Sequence, residues 1–339
     1  MPFAIGRRLG GLFVTLALVA PATAQEDWGA TLAAAQQEGS LVIYHSQLGA
    51  RYFDDVVDMF EEETGIDVKT LDARATEVME RIRAEGNTGN VGGDIVFSST
   101  AILQALQEAN LLAEAGPLPN TEALFADAGA DAYRVPAWTQ VMGILVNTNL
   151  VAPEEEPTSW EDVLDPKWKG KIISNEVRTI GGGLGALGPI WKHYGDDYLA
   201  RLAEQDITMS RDMRLEERRV ALGEFAMLTS EILAFYKELD GLPVKIIMPD
   251  PGVPYTPIDM SMLAGAHHPN AARVFMNFFI GSEAQAVYGM AGMRPVRDGV
   301  IETLPQEDRM LLEKPLLGWL QREDRQDAIA TMKRYFGEN

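Results

Sequence analysis

The sequence predicts an α/β protein of two lobes, each a sheet flanked by helices, joined by two passages of the chain. Three observations carry that reading. Strand-like and helix-like stretches alternate through residues 41–106, and a strand–helix–strand repeat implies a parallel sheet with right-handed crossovers. The 339 residues are 46 % hydrophobic, more than one core usually holds, so a second core is expected. Two segments then break the alternation, an apolar run at 133–147 containing Pro136 and a proline-dense run at 249–257. Each reads as a passage between lobes.

In chain order, residues 41–44 read as a buried strand, and the next helix places Phe53, Val56, Val57 and Phe60 at i, i+3, i+4 and i+7. Gly65 ends it. A strand at 66–71 leads to a helix with Val78, Met79 and Ile82 inward, and one at 94–97 leads to a helix with Ile102, Leu103 and Leu106 inward. Residues 171–174, 207–210, 224–228 and 244–248 supply shorter strands for the second lobe. Pro249, Pro251, Pro254 and Pro257 stiffen the return passage, because each fixes its φ. Helices at 270–279 and 283–290 complete the first lobe, and acidic C-terminal helices pack on the second.

The chain begins with Arg7 and Arg8, an apolar run at 9–20, and Ala22-Thr23-Ala24 ahead of Gln25, the pattern of a secretory leader cleaved after Ala24. The run falls short of the roughly 20 residues that span a bilayer. Losing Arg7 and Arg8 with the leader, and no acidic residue, takes the formal charge from −21 to −23. Such a chain repels phosphate backbones and anionic lipid, which argues against nucleic acid or a membrane surface as partner. It has no cysteine, so neither disulfides nor thiolate sites are possible.

In open parallel sheets, ligands lie beyond the carboxyl ends of the strands. His45-Ser46-Gln47 follows the first strand and Ser98-Ser99-Thr100 the third, each ahead of a helix whose first N–H groups favour anions. These serines are either ordinary N-caps or part of a cleft. In the second lobe, Glu176, Arg178 and Thr179 precede a glycine-rich helix start at 181–183. A planar guanidinium beside backbone free to approach closely makes Arg178 the leading ligand candidate, with a surface ion pair as the alternative. Arg211 is a second cation, or a partner for Asp212 or Glu216. Trp138 and Thr139 on the first passage, and Tyr255 and Thr256 on the return, would floor an inter-lobe cleft. Trp138 either covers a ligand or fills the hinge.

Other constellations fail. Residues 183–188 match a dinucleotide fingerprint, but the glycines do not come directly off the strand and Pro189 interrupts the residues after them. His267 and His268 suggest a metal pair, yet His268 precedes Pro269 and suits a helix cap better. No metal, cofactor or catalytic group is expected. An enzyme would need a nucleophile with a base, or a metal cluster, and neither assembles.

Residues 158–171 read Thr-Ser-Trp-Glu-Asp-Val-Leu-Asp-Pro-Lys-Trp-Lys-Gly-Lys and lead into the strand Ile172-Ile173. Ser159 and Asp162 suit a capping pair, and Pro166 stops the helix they begin. The spacing resembles a signature of the solute-binding proteins of ABC importers, in the family that includes periplasmic ferric-ion, hexose-phosphate and aminoethylphosphonate binders. Residues 220–224 (Val-Ala-Leu-Gly-Glu), 268–272 (His-Pro-Asn-Ala-Ala) and 292–297 (Gly-Met-Arg-Pro-Val-Arg) look like later landmarks of that family. The resemblance implies the type II periplasmic-binding-protein fold. Lobe 1 would comprise 25–138 plus 254–292, and lobe 2 would comprise 139–253 plus 293–339. It further implies a periplasmic monomer that delivers its solute to an inner-membrane permease.

The family's iron binders carry two adjacent tyrosines after the Gly-Glu landmark, whereas none of the nine tyrosines here has a tyrosine neighbour, and Tyr236 falls on an expected amphipathic helix. Arg178, Arg211 and the serine loops favour a small organic anion, either a carboxylate or a phosphate or phosphonate ester. Ferric iron import is the alternative ligand, and an exported phosphate-ester hydrolase the alternative class.

Overall fold

The computed structural model describes residues 28–46, 50–125 and 128–338, so the expected leader and Gln47 lie outside the described residues. The first half contains α1 (Trp28–Glu38), β1 (Ser40–His45), α2 (Arg51–Thr64), β2 (Asp67–Asp72), α3 (Ala75–Thr88), β3 (Ile95–Ser99), α4 (Thr100–Glu108) and the short β4 (Leu112–Ala113). In α2 an apolar stripe runs along an acidic helix, and Phe53, Val56, Val57 and Phe60 are all buried. Gly65 ends it at φ 74°, a left-handed position that glycine adopts without a Cβ clash. β1 pairs in parallel with β2 on one side and β3 on the other.

The 13-residue β5 (Val135–Asn147) then leads to β6 (Ile172–Asn175), α5 (Gly182–Tyr194), α6 (Asp196–Ala203), β7 (Thr208–Ser210), α7 (Met213–Ala221), β8 (Met227–Ile232), α8 (Leu233–Tyr236) and β9 (Val244–Ile247). The chain returns through β10 (Val253–Leu263) to α9 (Pro269–Phe279) and α10 (Ser282–Met290). It finishes with α11 (Gln306–Leu312), β11 (Leu316–Gly318) and α12 (Arg325–Phe336). One ladder path runs β2-β1-β3-β10-β5-β8-β6-β7, with β4 and β11 on β10 and β9 on β5. β10 is antiparallel to β3 and β5, and β5 is antiparallel to β8, so the two passages stand side by side at the centre. β6 pairs in parallel with β7 and β8.

Each half has its own core. Phe53, Phe60, Phe97, Trp138, Phe275 and Phe279 belong to one, and Trp160, Trp168, Ile172, Leu184, Leu199 and Met332 to the other. The segment at 158–171 joins the second core to the return passage. Ser159 N–H donates to the Asp162 carboxylate (2.9 Å) and Asp162 N–H to Ser159 Oγ (3.3 Å), the expected reciprocal cap, on a short 3₁₀ turn (Glu161–Leu164). The buried Trp160 indole then donates to the Gly252 carbonyl at 2.9 Å.

Three expectations change. The strand placed at 224–228 starts at Met227 and runs to Ile232, so the helix expected around Tyr236 shrinks to the four-residue α8. β8 lies between β5 and β6, and pairing on both edges satisfies backbone groups that a helix would otherwise satisfy. His268 does not cap α9 with its ring, which sits with Nδ1 2.9 Å from Asp94. Glu38, at the end of α1, accepts the Asn270 and Ala271 N–H groups instead, at 3.2 and 2.7 Å. Of the segment from 293 onward, Met293 and Val296 belong to the first core, whereas Ala328 and Met332 of α12 belong to the second.

Gln285 is fully buried and joins three backbone segments. Its amide donates to the Ala137 and Phe279 carbonyls (2.8 and 3.1 Å) and accepts from Val296 N–H at 2.9 Å. Gln285→Leu strands all three groups and is expected to lower stability by about 3 kcal/mol. Urea unfolding with an unchanged midpoint would contradict this.

Candidate functional site

An open pocket lies over the paired passages, lined by Ser46, Tyr52, Phe97, Ser98, Trp138, Gln140, Phe235, Ile258 and Met293. Ser46 stands just beyond β1, Ser98 is next to last in β3, and Tyr52 is in the first turn of α2. Trp138 and Gln140 share one face of β5 because side chains alternate along a strand, and Ile258 of β10 pairs directly with Trp138. Phe235 arrives from α8. Gly292, at φ 88°, lets Met293 in alongside α8, since a Cβ there would stand 3.1 Å from the Ala234 backbone.

Trp138 is only 3 % exposed and stacks on Phe97 (centroids 5.7 Å apart) and against Tyr288 (4.8 Å). It therefore fills the hinge and lines the pocket at once. Its indole N–H is buried and has no hydrogen-bond partner. Burial, with a contribution from Glu238, pushes the Tyr52 phenol above its ordinary range and keeps it protonated at neutral pH.

The remaining candidates lie elsewhere. Ser99 is the N-cap residue of α4, without a side-chain capping bond. Thr139 forms a two-bond backbone bridge with Arg294, at 2.8 and 2.9 Å. Tyr255 packs beside Val141, Leu233, Met248 and Val253.

Around the start of α5, Glu176 and Arg178 form a fork-to-fork pair, with Nε 2.7 Å and Nη2 2.8 Å from the carboxylate oxygens. Nη1 reaches the Phe336 and Gly337 carbonyls at 3.3 and 3.4 Å. The fork expected to grip a ligand is thus closed on Glu176 and the chain end, and the Arg178 hydrogen bonds hold the Glu176 carboxyl below its usual range. Thr179 is half-buried beside this pair. Arg211 is 66 % exposed, with Glu176 4.0 Å away; its expected partner Asp212 instead caps α7 through Leu215 N–H.

The α5 start itself does face the passages. A Cβ on Gly185 would stand 3.5 Å from Thr256 Oγ1, and one on Gly183 would collide with the Asn175 carbonyl at 2.1 Å. Glycine is required at 183 so that the helix can begin against the end of β6.

Tyr52, Gln140, Phe235, Ile258 and Met293 were missed from sequence. Gln140 was within reach, because it shares a face with Trp138 two residues earlier. Phe235 was hidden because the helix expected around Tyr236 is only the four-residue α8, which places Phe235 at the pocket. Arg214, in the first turn of α7, was also passed over. Its guanidinium lies 4.0 Å from the Phe235 ring centroid, and it pairs with Glu217 (3.3 Å) and Glu238 (2.8 Å).

Several carboxyls here are buried. Burial pushes Glu217 up to about 7 against the pull of Arg214, and lifts Glu231 far above its usual range. Neither Glu231 oxygen has a hydrogen-bond partner. On the return passage β10, burial pushes Asp259 up to about 6, opposed by Thr100 and Arg134. Among the described residues, no three His, Asp or Glu side chains are placed to hold a metal ion, and no helix is long and apolar enough to cross a membrane.

The family description "bacterial extracellular solute-binding protein" matches residues 55–310, and the chain belongs to that family. It is a solute-binding component of the kind that serves ABC importers. A Salmonella paratyphi A protein named as a candidate 2-aminoethylphosphonate-binding periplasmic protein is 24 % identical over 258 residues, covering 72 % of this chain and 73 % of that one. The iron-bound HitA structure from Pseudomonas aeruginosa superposes with a TM-score of 0.69 at 21 % identity, covering 87 % of this chain and 99 % of that one. AfuA from Actinobacillus pleuropneumoniae, with fructose-6-phosphate bound, gives 0.67 at 20 % identity, with 89 % and 99 % covered. These structures establish the type II periplasmic-binding fold.

Two measurements test these environments. Arg178→Ala removes the two-pronged partner of the buried Glu176, leaving it the residue 178 N–H and the exposed Arg211 at 4.0 Å, and is expected to cost roughly 2–3 kcal/mol of stability; a variant melting at the wild-type temperature would refute the structural role. The folded Asp259 holds its proton more tightly than the unfolded residue, so its contribution to stability falls as pH rises from about 4 to about 6. Asp259→Asn should flatten that part of the stability–pH curve, and curves that stay parallel would count against it.

Proposed function

We propose that this protein captures a small organic anion, a carboxylate or a phosphate or phosphonate ester, over the two passages and delivers it to an inner-membrane ABC permease. One observation carries the reading. In a chain of formal charge −21, the pocket lining contains, among the described residues, no Asp or Glu, yet offers the Ser46 and Ser98 hydroxyls, the Tyr52 phenol, the Gln140 amide and the unpartnered Trp138 N–H. Neutral donors around an apolar floor suit an oxyanion, because each donates without bringing a competing charge.

The relatives lend support, since one is named for an aminophosphonate and one structure holds a sugar phosphate. Export to the periplasm through the leader at 1–24 fits this role. So does closure of one half on the other about the paired passages, driven by the closed form's greater affinity for the ligand.

Calorimetry against methylphosphonate, glycerol 3-phosphate and succinate tests the reading, with small-angle scattering to track compaction. At least one of these should bind, and Ser98→Ala and Trp138→Phe should each weaken it about tenfold, the loss of one hydrogen bond to a charged group. Binding by none of the three classes, or unaltered affinity in both variants, would overturn it.

A further inference from the structure

We infer that Arg214 is the cation through which the second lobe holds the anionic group of the ligand, exchanging its carboxylate partners for that group on binding. This rests on the anion reading above and adds the residue and a proton linkage. The position is the first argument. Arg214 lies over the face of Phe235, a wall of the pocket, and its charge acts on Tyr52, which lines the pocket from α2 in the other half. By contrast, Arg178 is closed on Glu176 and the chain end, and Arg211 lies beside Glu176. Arg214 is thus a cation in contact with the pocket wall, and it is 44 % exposed.

The second argument is what holds it. Arg214 pairs with Glu217 from its own helix and Glu238 beyond α8, and its charge also acts on Glu231 from β8; Glu216 acts in turn on Glu217 and Glu231. Asn175 from β6 already occupies Glu216, at 3.0 Å. Neither oxygen of the buried Glu231 has a hydrogen-bond partner. The Glu217 contact is long at 3.3 Å, and Glu238 is itself 48 % exposed, so neither tie is a tight buried fork like that of Arg178. An incoming phosphonate or carboxylate can replace both, because it offers paired oxygens to the planar fork of the guanidinium.

The exchange has a consequence for protons. Arg214 opposes the burial that lifts the Glu217 carboxyl, so drawing the guanidinium toward the ligand raises Glu217 further and leads it to take up a proton. Anion binding then tightens as pH falls through neutrality, and the buried carboxyl is left neutral instead of unpaired.

The test uses the full chain and whichever of methylphosphonate, glycerol 3-phosphate or succinate the wild-type protein binds. Arg214→Ala should weaken that binding on the order of 100-fold while circular dichroism remains native, and Arg214→Lys should recover part of it. Calorimetry in buffers of different ionisation enthalpy should show more proton uptake for wild type than for Glu217→Gln, a difference that cancels the ligand's own titration. If wild type binds and Arg214→Ala binds equally well, this inference fails while the anion reading stands. A loss of affinity with identical proton uptake in wild type and Glu217→Gln would confine Arg214 to anchoring and overturn the linkage. If wild type binds none of the three, the anion reading itself fails.

Discussion

The antiparallel pairing of β5 with β10 is the constraint on which the rest of the molecule depends. These strands carry the chain out of one half and back, and they are hydrogen-bonded to each other from Tyr255 opposite Val141 to Met260 opposite Val135. The parallel strands of the first half attach to β10 through β3, and those of the second attach to β5 through β8. Because that register is fixed, the carboxyl ends of β1 and β3 and the start of α5 all face the same few residues of the ladder. A slip of one residue would turn Trp138 and Gln140 to the opposite face and remove the floor of the pocket.

Charge is managed by separation. The acidic surplus lies on outer helix faces and in a buried group within the second half, while the pocket lining is neutral. Burial favours the protonated form of Glu217, Glu231 and Asp259, which lets carboxyls persist near the hinge at little electrostatic cost. The Glu176–Arg178 pair is the opposite solution, an ion pair with nearly all its donors satisfied. It ties the loop before α5 to carbonyls at the end of α12, so the C-terminus helps to orient the helix start that faces the passages.

Membership of the extracellular solute-binding family and the two-half architecture agree on the kind of scaffold this is, one that binds a solute. Ligand choice in this layout is set by a handful of lining side chains, and the sheets are indifferent to it. That indifference is why iron-bound and sugar-phosphate-bound structures superpose on this chain about equally well.

Much of this was legible in the linear chain. Hydrophobic period gave α2, α3, α4 and the strands between them, since a stripe of Phe53, Val56, Val57 and Phe60 can be buried in only one way. The Ser159–Asp162 cap, the two passages and the serines at strand ends came from local stereochemistry, and Ser46, Ser98 and Trp138 do line the pocket. Local pattern failed where distant partners competed. β8 is a strand because two neighbours claim its backbone, α9 is capped by Glu38 from a remote helix, and the Arg178 guanidinium, forked on the neighbouring Glu176, is completed by a carbonyl 158 residues away. Sequence alone therefore determined which segments had to be buried and where the chain had to turn. Only the tertiary structure decided which charges were already matched and which still faced the pocket, because ion pairing depends on distances that folding creates.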